Sequence, residues 1–451
     1  MAGGNCGCHI VALPYPGRGH INPMLNLCRV ILDSRPEISV SFIVTEEWLG
    51  LLAATPPTPN FRFHTVPNVI PSEIGRGNDF PGFMDAVLTR LEAPVEQLLD
   101  RLPPPKPTLI IYDTYLTWAV AVGGRRNIPV ASFYTMSATV FSIFYHSHLI
   151  FQHRHSPSNI ADDEEGEENL VDYIPGVPPI RVTDLPTPIH GKGNEVFPQA
   201  LQAIQSAPKA QYLLFTSLYE LESQVIDALR QKIPTKIYTL GLAIPTLSST
   251  TDERPYYLKW LDAQSKDSVL YISQGSFLSV SKAQFEEIVA GVGRSGVRFL
   301  WVGRGEEDGL EEKCGGRGLV VPWCDQLKVL SHPSVGGFWS HCGWNSTKEG
   351  AFAGLPMLTF PIFWDQVTNS KMVVEEWGFG MRVKKEDDSL VRGDEIGELV
   401  LRVMESESEE AKERRRRAKE IQQICKSASG VGGSSHKDLM AFIKDISGCS
   451  T

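Results

Sequence analysis

The sequence predicts an α/β protein built from two doubly wound parallel-sheet domains. Three observations lead there: short apolar runs alternate with amphipathic stretches, the runs fall into two series, and a polar stretch separates the series. In the first half the runs are HIVALPY (9–15), SVSFIVT (39–45), FRFHTV (61–66), TLIIYD (108–113), PVASFY (129–134) and QYLLFTS (211–217). In the second half they are SVLYISQG (268–275), VRFLWVG (297–303), LVVPW (319–323), VGGFWS (335–340) and PMLTFPI (356–362). Strands of a parallel sheet are covered by helices on both faces, so they read as continuous apolar runs rather than alternating ones. The polar segment IPTLSSTTDERP (244–255) reads as the linker. It divides the chain into a first domain over 1–243 and a second over 256–451, whose last helix is free to pack back on the first.

The remaining segments have plain readings. The 451 residues are 42% hydrophobic and 21% charged, ordinary for globular domains. A net charge of −10 argues against nucleic acid or an anionic membrane as partner, though not against a phosphorylated ligand bound by local amides. The eight cysteines are scattered, with only Cys6 and Cys8 close together, which reads as reduced thiols of a cytoplasmic protein. No signal peptide is visible at MAGGNCGCHIVALPY. The most apolar window, 128–151, carries Ser132, Thr135, Ser137, His146 and His148, and reads as a buried strand followed by a helix rather than a membrane span. The segment ADDEEGEEN (161–169) is a solvated acidic loop. In KERRRRAK (412–419), Glu410 precedes Arg414 and Glu413 precedes Arg417 by one helical turn, giving an ion-paired helix face rather than a nuclear signal. The motif GVGRSG (291–296) has the form of a dinucleotide fingerprint, but it follows a helix and precedes a strand, so it reads as a helix-ending turn. The sequon at Asn345 is read as bare.

Chemistry concentrates between Trp323 and Gln366. The strand VGGFWS runs into the turn HCGW and then into a helix expected to start near Asn345 and Ser346, with Ser346 and Glu349 at capping-box spacing. A strand, a glycine turn and a helix N-terminus make an anion site. His341 can add a donor, Trp323 offers a face for a nucleobase, and Asp365 with Gln366 follows a strand end where polar groups suit sugar hydroxyls. The physical reading is a nucleotide-diphosphate site with a polyhydroxylated group attached.

A second constellation lies near the start. The first strand ends in Pro16-Gly17-Arg18-Gly19-His20, with a helix expected to begin near Asn22-Pro23, because Asn suits an N-cap and Pro the first helical position. His20 then sits at the carboxyl edge of the first sheet, and Asp113 ends another strand on the same edge. Histidine supplies a base near neutral pH, and a carboxylate can fix its tautomer.

The 44-residue segment from Trp323 to Gln366 resembles the signature box of plant secondary-product UDP-dependent glycosyltransferases (family 1, GT-B type), its core HCGWNST unchanged. The likeness extends from PYPGRGHINPML (14–25) through YISQGS (271–276) to the box. Departures are Cys324 and Asp325 in place of Ala-Pro, Lys348 where an aliphatic residue is common, and Gln274 where Phe is usual. The resemblance implies two Rossmann-like domains facing across a cleft, the acceptor on the first and the UDP-sugar on the second. It implies that Trp323 stacks on uracil, that Gln326 lies beside the ribose or base, and that Glu349 accepts from ribose hydroxyls. His341, Asn345 and Ser346, with Ser276, would hold the diphosphate, and Trp344, Asp365 and Gln366 would contact the sugar. His20 would be the general base oriented by Asp113 in an inverting transfer to a small phenolic, terpenoid or hormone-like acceptor. Gln366 at the box's end goes with glucose, so UDP-glucose is the expected donor. No metal is expected: no Asp-x-Asp motif follows a strand, and His332, His341, Cys324 and Cys342 lack zinc spacing. A monomer is expected, its partners only the donor and the small-molecule acceptor.

Two other readings stay open from the residues: a different nucleotide-binding enzyme such as a dehydrogenase, and a nucleotide-sugar binder without activity. The acceptor pocket is expected from loops near 70–92, 136–150 and 180–200, where Phe80, Phe83, Met84, Phe141 and Phe144 either line the pocket or belong to the core.

Overall fold

The structure, a computed structural model, describes residues 7–52, 60–153, 170–241, 254–275, 280–303, 309–383 and 390–447. The acidic loop 161–169, Ser276 and nearly all of the linker 244–255 lie outside the described residues. The described chain forms fifteen strands: β1 (His9–Leu13), β2 (Ser39–Thr45), β3 (Phe61–Val66), β4 (Leu109–Asp113), β5 (Val130–Tyr134), β6 (Leu170–Val171), β7 (Ile180–Arg181), β8 (Tyr212–Phe215), β9 (Lys236–Thr239), β10 (Val269–Ser273), β11 (Arg298–Val302), β12 (Gly318–Val321), β13 (Val335–Ser340), β14 (Met357–Thr359) and β15 (Gly380–Arg382). Every predicted run overlaps a strand, and β2, β3 and β13 coincide with theirs.

The strands group into two large sheets. The first runs β3-β2-β1-β4-β5-β8-β9 and the second β12-β11-β10-β13-β14-β15, while β6 and β7 form a small ribbon. All neighbours in both large sheets are parallel. Each sheet reverses its strand order once, at β1/β4 and at β10/β13, and ligands of open α/β sheets bind at such switch points beyond the strands' carboxyl ends.

The chain divides into two compact units. The first comprises residues 1–180, 193–248 and 428–451, so the C-terminal helix Ser434–Ser447 belongs to it. Leu439, Phe442 and Ile443 of that helix enter the core around Ile10, Ile111, Leu214 and Tyr238. The second comprises 181–192 and 249–427. Its core gathers Leu270, Ile272, Trp301 and Trp339 of the sheet against Ile288, Ile396 and Val400 of the covering helices.

Three local expectations are corrected. The first helix spans Arg18–Ser34 with Gly17 as N-cap, so Pro23 lies inside it and His20 in its first turn. Burial of Ile21, Met24, Leu25, Leu27, Cys28 and Ile31 along one face outweighs the backbone bond that Pro23 forfeits. The helix after HCGW spans Trp344–Ala353 with Gly343 as N-cap and no side-chain cap, so Ser346 and Glu349 form no capping box. In the basic run, Glu410 pairs with Arg414, but Glu413 pairs with Arg416, and Arg417 turns to Glu420. The decoy GVGRSG does end a helix: Lys282–Ser295 closes on Gly296 at φ 65°, and β11 follows.

Among the described residues no helix is long and apolar enough to cross a membrane, and no group of three or more His, Cys, Asp or Glu could hold a metal ion.

Candidate active site

Each unit places one polar cluster at its sheet's switch point. In the first unit, β1 leads through Pro14–Gly17 into the helix that carries His20, and β4 ends in Asp113. His20 Nδ1 lies 2.8 Å from Asp113 Oδ2. Thr135, one residue beyond β5, brings its Oγ1 to 3.0 Å from the same nitrogen. Because β1, β4 and β5 are successive neighbours, all three side chains rise from one edge. The other Asp113 oxygen accepts from the Tyr115 amide at 3.1 Å, so the carboxylate is held at both ends. Asp113 is 1% exposed and the His20 side chain 18%, so the carboxylate is sealed while the imidazole reaches solvent. With Nδ1–H directed at Asp113, the neutral ring carries its lone pair on Nε2, the tautomer a base requires. Tyr15 and Tyr115 flank the imidazole, at 5.0 and 6.1 Å between ring centroids.

In the second unit, Trp323 follows β12 and stands 58% exposed, the most solvent-open tryptophan among the described residues. The next turn, capped by Asp325, starts the helix Gln326–Leu330. The Gln326 amide is used at both ends: its nitrogen donates to Ser346 Oγ at 3.0 Å and Glu349 Oε2 at 2.7 Å, and its oxygen accepts from the Tyr271 hydroxyl at 3.1 Å. Desolvation pushes the Glu349 carboxyl up to about 7, against the opposing pull of Gln326 and Lys348. Cys324, one of the departures from the family pattern, sits 3.3 Å from the Tyr271 hydroxyl.

His341 is held between two glycines. A Cβ at Gly275 would lie 2.6 Å from its Nε2 and one at Gly343 2.5 Å, so both positions need a bare Cα. Cys342 then turns the chain at φ 63°, a left-handed conformation uncommon outside glycine, and starts the helix bearing Trp344, Asn345 and Ser346 in its first turn. That turn has no side-chain cap, as an anion-binding helix start requires. The Trp344 ring is only 4% exposed, between Trp377 and the Lys348 ammonium.

Beyond β14, Trp364 also adopts φ 63°. Asp365 is 6% exposed and its Oδ2 accepts from Asn369 at 2.7 Å. Gln366 Oε1 accepts from the amides of Ile362 and Phe363 at 2.8 and 3.0 Å. The Gln366 oxygen is thus taken up by the turn, which leaves its NH2 group as the end of the amide not engaged there.

Three contributors were missed in the sequence. Thr135 was noted only as a polar residue of the apolar window 128–151, and Tyr271 only as part of the YISQGS run. The segment Arg181–Lys192 packs with the second unit: Thr187 exchanges two hydrogen bonds with the Trp364 backbone, and Asp184 O accepts from Thr368. It buttresses the turn that carries Asp365 and Gln366. Phe83, Met84, Phe141 and Phe144 are core, each at most 3% exposed, whereas Phe80 is half-buried.

Two Rossmann-like units with these strand orders form an architecture of the GT-B type. The family model described as UDP-glucoronosyl and UDP-glucosyl transferase matches residues 250–389. UDP-glycosyltransferase 87A1 of Arabidopsis thaliana is 54% identical over 440 residues, which cover 96% of this chain and 99% of that one. Among solved structures, a UDP-glucose:anthocyanidin 3-O-glucosyltransferase in complex with UDP superposes with a TM-score of 0.84 at 25% identity, over 98% of this chain and 99% of that one. Phytolacca americana UGT2, complexed with UDP-2fluoro-glucose and pterostilbene, gives 0.79 at 26% identity, over 98% and 100%. The chain belongs to the plant family 1 UDP-glycosyltransferases, enzymes that transfer a sugar from a UDP-sugar.

Proposed function

We propose that this enzyme moves glucose from UDP-glucose to a hydroxyl of a small apolar acceptor, phenolic, terpenoid or hormone-like, with inversion at the anomeric carbon. The observation that carries the reading is the 2.8 Å contact between His20 Nδ1 and Asp113 Oδ2. His20 Nε2 takes the acceptor's hydroxyl proton while that oxygen bonds to the anomeric carbon from the face opposite UDP. The bond from the anomeric carbon to the β-phosphate oxygen breaks, and its electron pair leaves with UDP. Asp113 stabilises the imidazolium that forms. Thr135 adds a second partner at Nδ1 and limits rotation of the ring.

On the donor side, Trp323 stacks on uracil, and Gln326 and Glu349 meet the nucleoside. His341, Asn345 and Ser346, with Ser276 from the preceding loop, hold the diphosphate. The uncapped helix start and these donors stabilise the developing charge in place of a metal ion. Asp365, the Gln366 NH2 group and Trp344 meet the sugar. The acceptor class is supported by the phenol-type ligand, pterostilbene, in the Phytolacca protein. A reducing cytoplasm fits the described cysteines, all buried and without a disulfide.

The experiment is a screen of phenolic, terpenoid and hormone-like acceptors with UDP-glucose, read by mass spectrometry, with the anomeric configuration of the product assigned by NMR. A β-glucoside from α-linked UDP-glucose is expected. An α-glucoside, or donor hydrolysis alone with every acceptor, overturns the reading.

A further inference from the structure

Between β3 and the helix Phe80–Arg90 lies a charged pair that the proposed mechanism does not use, Glu73 with Arg76. Arg76 Nη1 stands 2.9 Å from Glu73 Oε2 and donates to the carbonyl of Pro16 at 3.0 Å. The same guanidinium lies 5.6 Å over the Phe83 ring and presses on Gly17, where an added Cβ would fall 2.4 Å from Nη1. Both side chains are largely withdrawn from water, at 9% and 11% exposure. Glu73 is itself tied down, its amide donating to Glu47 Oε2 at 3.1 Å.

Pro16 and Gly17 launch the helix that carries His20. The Gly17 carbonyl accepts from the amides of His20 and Ile21, both at 2.9 Å. A continuous run of contacts therefore links Glu47, Glu73, Arg76, the Pro16–Gly17 turn and His20. Arginine suits the central place: its planar fork can meet a carboxylate and a carbonyl at once while its face covers an aromatic ring. A buried ion pair is weak evidence for added stability, since desolvation offsets the attraction, so its use beside a reactive histidine calls for another reason.

We propose that Arg76, held by Glu73, is a positioning residue for His20, fixing the Pro16–Gly17 turn and through it the imidazole's place against Asp113. The inference rests on the reading of His20 as base. It also explains Gly17: a side chain there would displace the guanidinium and free the turn.

The test compares Arg76→Ala and Arg76→Lys, each alone and in a His20→Ala background, with UDP-glucose and one phenolic acceptor taken by the wild type. Arg76→Ala is expected to lower kcat about tenfold to hundredfold, the scale of a roughly 1 Å misplacement, while the KM for UDP-glucose and the Kd for UDP stay unchanged. Arg76→Lys should recover part of the loss, because an ammonium can reach Glu73 or Pro16 but cannot do so while covering Phe83. In the His20→Ala background, Arg76→Ala should cost nothing further. Wild-type kcat in Arg76→Ala overturns the proposal, as does the same loss with His20 already removed. If Arg76→Ala no longer binds UDP, the lysine variant decides, and wild-type kcat there overturns it. Wild-type turnover by His20→Ala alone would instead defeat the base reading, a separate outcome.

Discussion

Gln326 Nε2 donates to Glu349 Oε2 at 2.7 Å, joining the start of the helix Gln326–Leu330 to the helix Trp344–Ala353. The bond ties together two residues of the proposed donor site, and one of them titrates near neutrality. Desolvation raises the Glu349 carboxyl to about 7 from an ordinary carboxylate value. The sign follows directly. A carboxyl raised by folding favours the protonated form, so the stability it contributes is present at low pH and is lost as pH rises through about 7. A ligand whose hydroxyls donate to the carboxylate reverses the balance by favouring ionisation.

The first prediction is that UDP-glucose binding tightens as pH rises from about 6 to 8, with a limiting slope of roughly tenfold per pH unit below the titration, and releases protons. UDP-glucose is the proper ligand because its diphosphate does not titrate in that window. Calorimetry in two buffers of different ionisation enthalpy reads the proton release. Glu349→Gln should flatten the pH dependence, and an unchanged profile in that variant would remove Glu349 from the ribose site.

The second prediction concerns the exposed Trp323, whose indole stands 58% open to solvent after β12. Trp323→Ala should weaken UDP binding by about 1–3 kcal/mol, the scale of a base stacked on an aromatic ring. Trp323→Phe should lose less. Because the side chain packs little against the protein, the melting temperature without ligand should stay near wild type. Unchanged UDP affinity in the alanine variant would contradict stacking.

The third prediction concerns donor choice. With Gln366 Oε1 committed to the amides of Ile362 and Phe363, the side chain presents fixed N–H donors beside Asp365. A sugar whose oxygens are displaced from those donors leaves a polar group unpaired, at a cost of about 1–3 kcal/mol. kcat/KM should therefore favour UDP-glucose over UDP-galactose, UDP-xylose and UDP-glucuronate. Gln366→Ala should both lower activity and loosen the preference. A clear preference of the wild type for another donor would show that Gln366 does not set the choice.

Much of this was legible because parallel strands buried on both faces must be apolar throughout. The run VGGFWS could be delimited from composition alone, and Asp113 could be placed at a strand's end. Four short strands escaped: β6 and β7 have two residues each, β9, KIYT, opens on an exposed lysine, and β15, GMR, has only three residues. The start of the first helix was misjudged because Pro23 carries a local signal that tertiary burial overrides. Side-chain partners were the least legible. Thr135 meets His20 only because β5 lies beside β4, and Thr187 meets Trp364 across 177 residues of sequence. Pairings of that kind are set by topology, which no local pattern records.

The central claim is that His20, oriented by Asp113, removes the acceptor proton. The most direct measurement is the turnover of His20→Ala with UDP-glucose and an accepted aglycone, alongside its Kd for UDP. General-base loss predicts a fall in kcat of about 10²–10⁴-fold. UDP affinity should be retained, because His20 is no part of the nucleotide cluster, and Asp113→Asn should be impaired less severely. Near-wild-type turnover by a folded, UDP-binding His20→Ala enzyme would contradict the account.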